Sequence, residues 1–111
     1  MTLRASVVIT SRHRPEEMRR CLMALSQQDH PAFEVIVVAD PATAATLPAT
    51  VKTIVHDEAN ISAARNLGLM AAAGDVVAFI DDDAVAEPTW LGRLIAPLSD
   101  PTGQTRYCLG V

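Results

Sequence analysis

The segment Phe33-Glu34-Val35-Ile36-Val37-Val38-Ala39 is apolar at every position except Glu34, and it stops at Asp40-Pro41. A strand with one wet face alternates apolar and polar residues, whereas a strand in a parallel sheet is covered on both faces and reads as a near-continuous apolar run. This segment is of the second kind. Parallel neighbours must be joined by a crossover, usually a helix, so the flanking sequence should supply helices and further strands.

Upstream, Ala5-Ser6-Val7-Val8-Ile9-Thr10 is a short β-branched run bounded by the polar cluster Ser11-Arg12-His13-Arg14. Pro15 then suits a first helical turn, and Glu16 and Glu17 lie near the positive end of the helix dipole. Met18, Cys21, Leu22 and Leu25 recur at helical spacing and predict a helix to about Gln28. Downstream, residues 41–50 could hold a short helix or a loop, since Pro41 and Pro48 interrupt any long period. Val51 to His56 reads as a strand. Asn60 or Ser62 can cap the next helix, which has Ala63, Ala64, Leu67, Met70 and Ala71 on its apolar side and Gly74 as stop signal. Asp75 to Ile80 is another buried strand, running into Asp81-Asp82-Asp83, and a last helix is expected near Pro88 to Pro97.

The alternation predicts an α/β domain with a mostly parallel sheet flanked by helices. In such a sheet ligands gather at the carboxyl ends of the strands. Thr10, Asp40 and Asp81 each end a predicted strand, so they should converge on one edge.

The bulk properties bound the function. With 111 residues and 50% hydrophobic content the chain suits one compact domain. A net charge of −4 with scattered arginines carries no footprint for nucleic acid. Cys21 and Cys108 have no metal-ligand spacing. With no signal-peptide pattern and no apolar run near the ~18 residues of a membrane span, the domain is expected to be soluble and cytoplasmic, any membrane association coming through a partner.

Three adjacent carboxylates repel one another and are costly to desolvate together, so an ordered site needs full hydration or a bound cation. Mg²⁺ or Mn²⁺ commonly takes one or two carboxylates and completes its shell with water and substrate phosphates. Asp81 and Asp83 have the Asp-x-Asp spacing for this and share a face if the segment stays extended; a turn would break that parity. The plainer reading is a cap or solvated loop, as Arg65-Asn66 could be surface residues, Asp40 a turn cap through Pro41, and Thr10 a strand residue. A guanidinium at Arg65 could equally bind phosphate or a base edge.

The whole pattern resembles the family 2 glycosyltransferases, whose nucleotide-binding half has the Rossmann-like GT-A fold. Residues 6–15 resemble the family's opening strand and loop, and residues 19–28 its first helix. Ala64-Arg65-Asn66-Leu67-Gly68, Ala73-Gly74-Asp75 and Phe79-Ile80-Asp81-Asp82-Asp83, followed by Pro88-Thr89-Trp90-Leu91, carry the most specific likeness. It covers residues 5 to about 98. The resemblance implies a nucleotide-sugar donor, UDP-sugars first, with Thr10 and the second strand's end, including Asp40, facing the nucleoside. Arg65 would hold the nucleotide, Asp81 and Asp82 the ribose and diphosphate, and Asp83, with Asp81, an Mg²⁺ or Mn²⁺ ion.

Two departures accompany the likeness. Ala39-Asp40 stands where the family often has two acidic residues. Family members also usually continue for about another hundred residues that build the acceptor site and supply the base, and residues 102–111 lack the expected continuation. Residues 1–111 are therefore expected to be a single truncated GT-A-like domain that transfers a sugar to an unidentified acceptor hydroxyl only if completed, by further chain, a second copy or a partner. The alternatives are a non-catalytic nucleotide-binding or interaction domain and, less well matched, a receiver-like signalling domain. The last usually needs a lysine on a late strand, whereas Lys52 is the only lysine.

Overall fold

The computed structural model describes residues 2–98 and 107–109. Strand β1 (Ala5–Ser11) is followed by helix α1 (Pro15–Leu25), β2 (Phe33–Ala39), the single turn α2 (Pro41–Ala44) and β3 (Lys52–Val55). Then come α3 (Ile61–Ala71), β4 (Val76–Asp81), α4 (Trp90–Ile95), a 3-10 turn (Ala96–Leu98) and β5 (Tyr107–Leu109). The strands lie in the order β3-β2-β1-β4-β5 and every pairing is parallel. The expected α/β architecture is thus present. Strand β5 was not anticipated, and most of the 102–111 tail lies outside the described residues.

The apolar run in β2 has the expected cause. Its odd positions Val37 and Ala39 join Ala5, Val7, Ile9, Val76, Ala78 and Ile80 under α1 and α4, through Met18, Cys21, Leu25, Leu91 and Ile95. Its even position Ile36 joins Val8 and Val77 on the other face, with Ile54, Phe79, Ala71 and Ala72 packed around them. Burying each large aliphatic of this kind stabilises by about 1.5–3 kcal/mol before chain entropy is subtracted.

Local chemistry sets the element ends. Asn60 caps α3, its Oδ1 accepting from the Ala63 amide at 3.0 Å. Helix α1 stops at Leu25 rather than near Gln28, because Gln28 ties the chain to the start of α4. Its Nε2 donates to the Glu87 carbonyl at 2.6 Å and its Oε1 accepts from the Leu91 amide at 2.9 Å. In α3, Ala64 and Gly68 are buried, whereas Met70, expected on the apolar side, is 83% exposed. The helix sits close to the sheet along the Ala64–Gly68 line, and Met70 is about 200° round the helix from Gly68.

Gly74 has a different purpose from the expected stop signal. Helix α3 ends earlier, with Ala72 as its C-cap. A Cβ on Gly74 would lie 2.7 Å from the Arg4 carbonyl oxygen and 2.8 Å from the Ser6 nitrogen. Only glycine lets the α3–β4 turn press against the start of β1, where the Gly74 amide donates to Ser6 Oγ at 2.8 Å.

Candidate functional site

The carboxyl edge of the sheet carries a cleft of about 490 Å³. Thr10 and Ser11 from β1, Val38 from β2, His56 after β3, and Asp81, Asp82 and Asp83 from the end of β4 share its wall. Thr10 and Asp81 are register partners on neighbouring strands, so the predicted convergence is realised for both.

The acidic triplet does not stay extended. The Ala84 amide donates to the Asp81 carbonyl at 3.1 Å, closing a turn with Asp82 and Asp83 at its two corners. Asp82 turns inward and is only 7% exposed; its Oδ2 accepts from Ser11 Oγ at 2.8 Å. The side chains of Asp81 and Asp83 remain 60% and 57% exposed. Parity fails, yet its consequence survives, because the turn leaves the first and third carboxylates open and fixes the middle one.

Two guanidinium groups face the triplet. Arg65 Nη2 lies 3.9 Å from Asp81 Oδ1, and its guanidinium sits over the Phe79 ring at 5.8 Å. Arg14, which the sequence reading treated only as part of a polar cluster, reaches Asp82 Oδ1 at 3.3 Å and Asp83 Oδ2 at 3.7 Å. Arg12, His56, Glu58 and Asn60 also line the cleft and were not singled out as binding residues. Their signal was available, since they follow directly the carboxyl ends of β1 and β3. The Nε2 of His56 is buried in the wall without a hydrogen-bond partner among the described residues.

Asp40 is placed differently. It is 1% exposed and is not among the residues that line the cleft. Its Oδ2 accepts from the Thr43 amide at 3.2 Å, capping α2, and its Oδ1 accepts from the His13 amide at 2.8 Å. Among the described residues His13 is the non-glycine residue with positive φ, at 60°, a conformation that persists only where neighbours impose it. Asp40 therefore holds the β1–α1 loop that carries Arg12 and Arg14. The Thr43 side chain and the His13 and Thr43 amides outweigh burial and lower the Asp40 pKa to about 2. The Thr43 hydroxyl itself meets no partner at hydrogen-bond geometry, so the two amides are the firm contributors.

Behind the triplet, Cys21 is buried in α1 with its Sγ 3.6 Å from the Asp81 carbonyl. Burial, then the charges of Asp82, Asp83 and Asp81, raise the thiol pKa to about 11. It is an inert core residue. Lys52 sits at the opposite edge of the sheet, where its Nζ pairs with Glu34 Oε1 at 3.3 Å. A receiver-like phosphoryl site would need that cation among the carboxylates, so its position removes the reading.

Among the described residues no three His, Cys, Asp or Glu side chains gather into a metal-holding cluster, and no helix is long and apolar enough to cross a membrane. A hard cation completed by phosphate oxygens and water needs no such trio. Asp81 and Asp83, exposed on the cleft wall, fit that kind of site.

The chain is similar to several proteins of known sequence or structure. It is 32% identical over 106 residues to the succinoglycan biosynthesis protein ExoM of Rhizobium meliloti, covering 85% of this chain and 34% of that one. S. aureus TarS (residues 1–349) superposes with a TM-score of 0.74 at 26% identity, over 85% of this chain and 32% of that one. TarS has also been solved with UDP-GlcNAc. The mannosyltransferase PcManGT of Pyrobaculum calidifontis, solved with GDP-Man and Mn²⁺, shares the fold with a TM-score of 0.76 at 24% identity, over 92% of this chain and 34% of that one. This chain thus spans about a third of each of these proteins. The family model for glycosyl transferase family 2 matches residues 6–106, and on that match the protein belongs to this family, with the α/β architecture of its GT-A fold.

Proposed function

We propose that residues 1–111 form the donor-binding half of a glycosyltransferase that takes a nucleotide-sugar, a UDP-sugar first, and passes the sugar to an acceptor hydroxyl. The observation that carries this reading is the turn at Asp81–Ala84, which fixes Asp82 and opens Asp81 and Asp83 into a cleft lined by Arg14, with Arg65 beside Asp81. Thr10, Val38 and His56 form the nucleoside end, and the buried His56 Nε2 gains the partner it lacks from a base or ribose group. Arg65 holds the phosphates. Asp81 and Asp82 take the ribose and diphosphate side, with Asp82 oriented by Ser11.

Asp83, with Asp81, would hold Mg²⁺ or Mn²⁺. The bound cation supplies charge neutralisation for the departing nucleoside diphosphate. Asp40 contributes by positioning the Arg12–Arg14 loop rather than by touching the base. The proton of the acceptor hydroxyl needs a carboxylate base, which we assign to a segment outside residues 1–111 or to a partner chain. The buried reduced thiol of Cys21 suits a cytoplasmic setting.

Calorimetric titration with UDP-, GDP- and dTDP-sugars, with and without Mn²⁺, tests the reading. We expect one of the donors to bind in a Mn²⁺-dependent manner, with the dependence lost in Asp83→Ala. Binding that ignores the cation removes the metal assignment. A folded chain that binds none of the donors supports an interaction domain instead.

A further inference from the structure

We propose that Arg14 acts as a partner-swapping counter-ion that makes cation binding at Asp83 conditional on the donor diphosphate. The inference rests on the donor-site reading above and adds a regulatory role for a residue outside its predicted set.

The Arg14 guanidinium faces three carboxylates: its Nε lies 3.8 Å from Glu17 Oε2 in the first turn of α1, and its two contacts with the triplet are unequal. Nη1 lies 3.3 Å from Asp82 Oδ1, on a side chain only 9% exposed, whose other oxygen is fixed by Ser11. Nη2 lies 3.7 Å from Asp83 Oδ2, on a side chain 57% exposed. Nη1 is therefore anchored on a rigid carboxylate, whereas Nη2 rests on a solvent-facing one. The backbone holds the arrangement in place. Arg14 precedes Pro15 at the start of α1 and makes no side-chain cap bond there, and the adjacent His13 is clamped by Asp40.

In this state a guanidinium already answers part of the charge of Asp83. A divalent cation approaching Asp83 alone meets a weakened ligand and a like charge beside it. A diphosphate entering the cleft offers Nη2 a better acceptor, because a guanidinium fork suits phosphate oxygens. Movement of Nη2 from Asp83 to phosphate, while Nη1 stays on Asp82, frees the carboxylate for the cation. Cation and diphosphate then favour each other's binding to the same extent, as linkage requires.

The test is Mn²⁺ titration of the 111-residue chain, read by the electron paramagnetic resonance of free Mn²⁺, with and without saturating UDP or GDP. Arg14→Gln, Arg14→Lys and Asp83→Ala are compared, their folding checked by circular dichroism. Wild type should bind Mn²⁺ weakly alone and more tightly with nucleotide. Arg14→Gln should bind Mn²⁺ alone about threefold more tightly, in line with loss of one half-exposed ion pair, and its enhancement by nucleotide should shrink. Arg14→Lys, which keeps the charge but not the fork, should fall between the two. An Arg14→Gln protein with unchanged Mn²⁺ affinity and unchanged enhancement overturns the swap while leaving the donor site standing. Nucleotide-enhanced Mn²⁺ binding that survives Asp83→Ala, or no enhancement in wild type, removes the metal assignment at Asp83 and the swap with it, whereas a folded chain that binds no nucleotide at all removes the donor-site reading.

Discussion

Replacing Asp40 with alanine removes a side chain that joins α2 to the strained β1–α1 loop. Loss of the cap on α2 costs about 1 kcal/mol, and leaving the His13 amide without its charged acceptor costs about 1–3 kcal/mol more. The sum is about 2–4 kcal/mol, or roughly 8–16 °C in Tm for a domain of this size. Asp40→Asn keeps one carbonyl acceptor and loses the charge, so it should cost about half as much. The pH dependence has a definite sign. The folded-state pKa of Asp40 is lowered to about 2, below its unfolded value of about 3.9. Its contribution is therefore fully present above pH ~4 and is lost as pH falls through the folded value. Urea unfolding followed by circular dichroism at pH 7 and at stepped acid pH reads both effects. The gap between wild type and Asp40→Asn should narrow below pH ~4. An Asp40→Ala protein within about 0.5 kcal/mol of wild type, the level of an ordinary surface change, would refute the clamp.

Other substitutions probe the frame and the buried thiol. Gly74→Ala should destabilise by about 2 kcal/mol or more, since the added Cβ meets backbone atoms that have no side-chain freedom to yield; a thermal melt equal to wild type contradicts the close approach. Gly68→Ala should cost less, because the clash is with the Val8 side chain and alanine recovers about 1 kcal/mol of helix propensity. Cys21 should resist iodoacetamide at pH 8 in the folded protein and react once urea is added, as followed by peptide mass spectrometry; rapid native labelling would contradict its burial and raised pKa.

The architecture was legible in the sequence because both signals behind it are local. The near-continuous apolar runs of β1, β2 and β4 report cover on both faces, and Pro15 and Asn60 mark where α1 and α3 begin. Strand order then brings Thr10 and Asp81 side by side. What escaped the sequence depends on contacts between distant segments. Gln28 reads as part of a helix until Glu87 and Leu91 are beside it, and Gly74 reads as a helix stop until the backbone of β1 is seen against it. Asp40 shows the same limit, because a carboxylate after a strand looks alike whether it faces a ligand or caps the next turn. Arg14 was passed over within a polar cluster, since only the turn at Asp82-Asp83 reveals that a guanidinium from the first loop answers the triplet.

The central claim is that this turn presents Asp83, with Asp81, to a cation shared with the donor's diphosphate. A crystal structure of the chain grown with UDP and Mn²⁺ measures it most directly, through the anomalous signal of manganese. The account predicts a peak about 2.1–2.2 Å from an Asp83 carboxylate oxygen, with a diphosphate oxygen completing part of its shell. Nucleotide bound in the cleft with manganese elsewhere, or with no manganese at all, would contradict it.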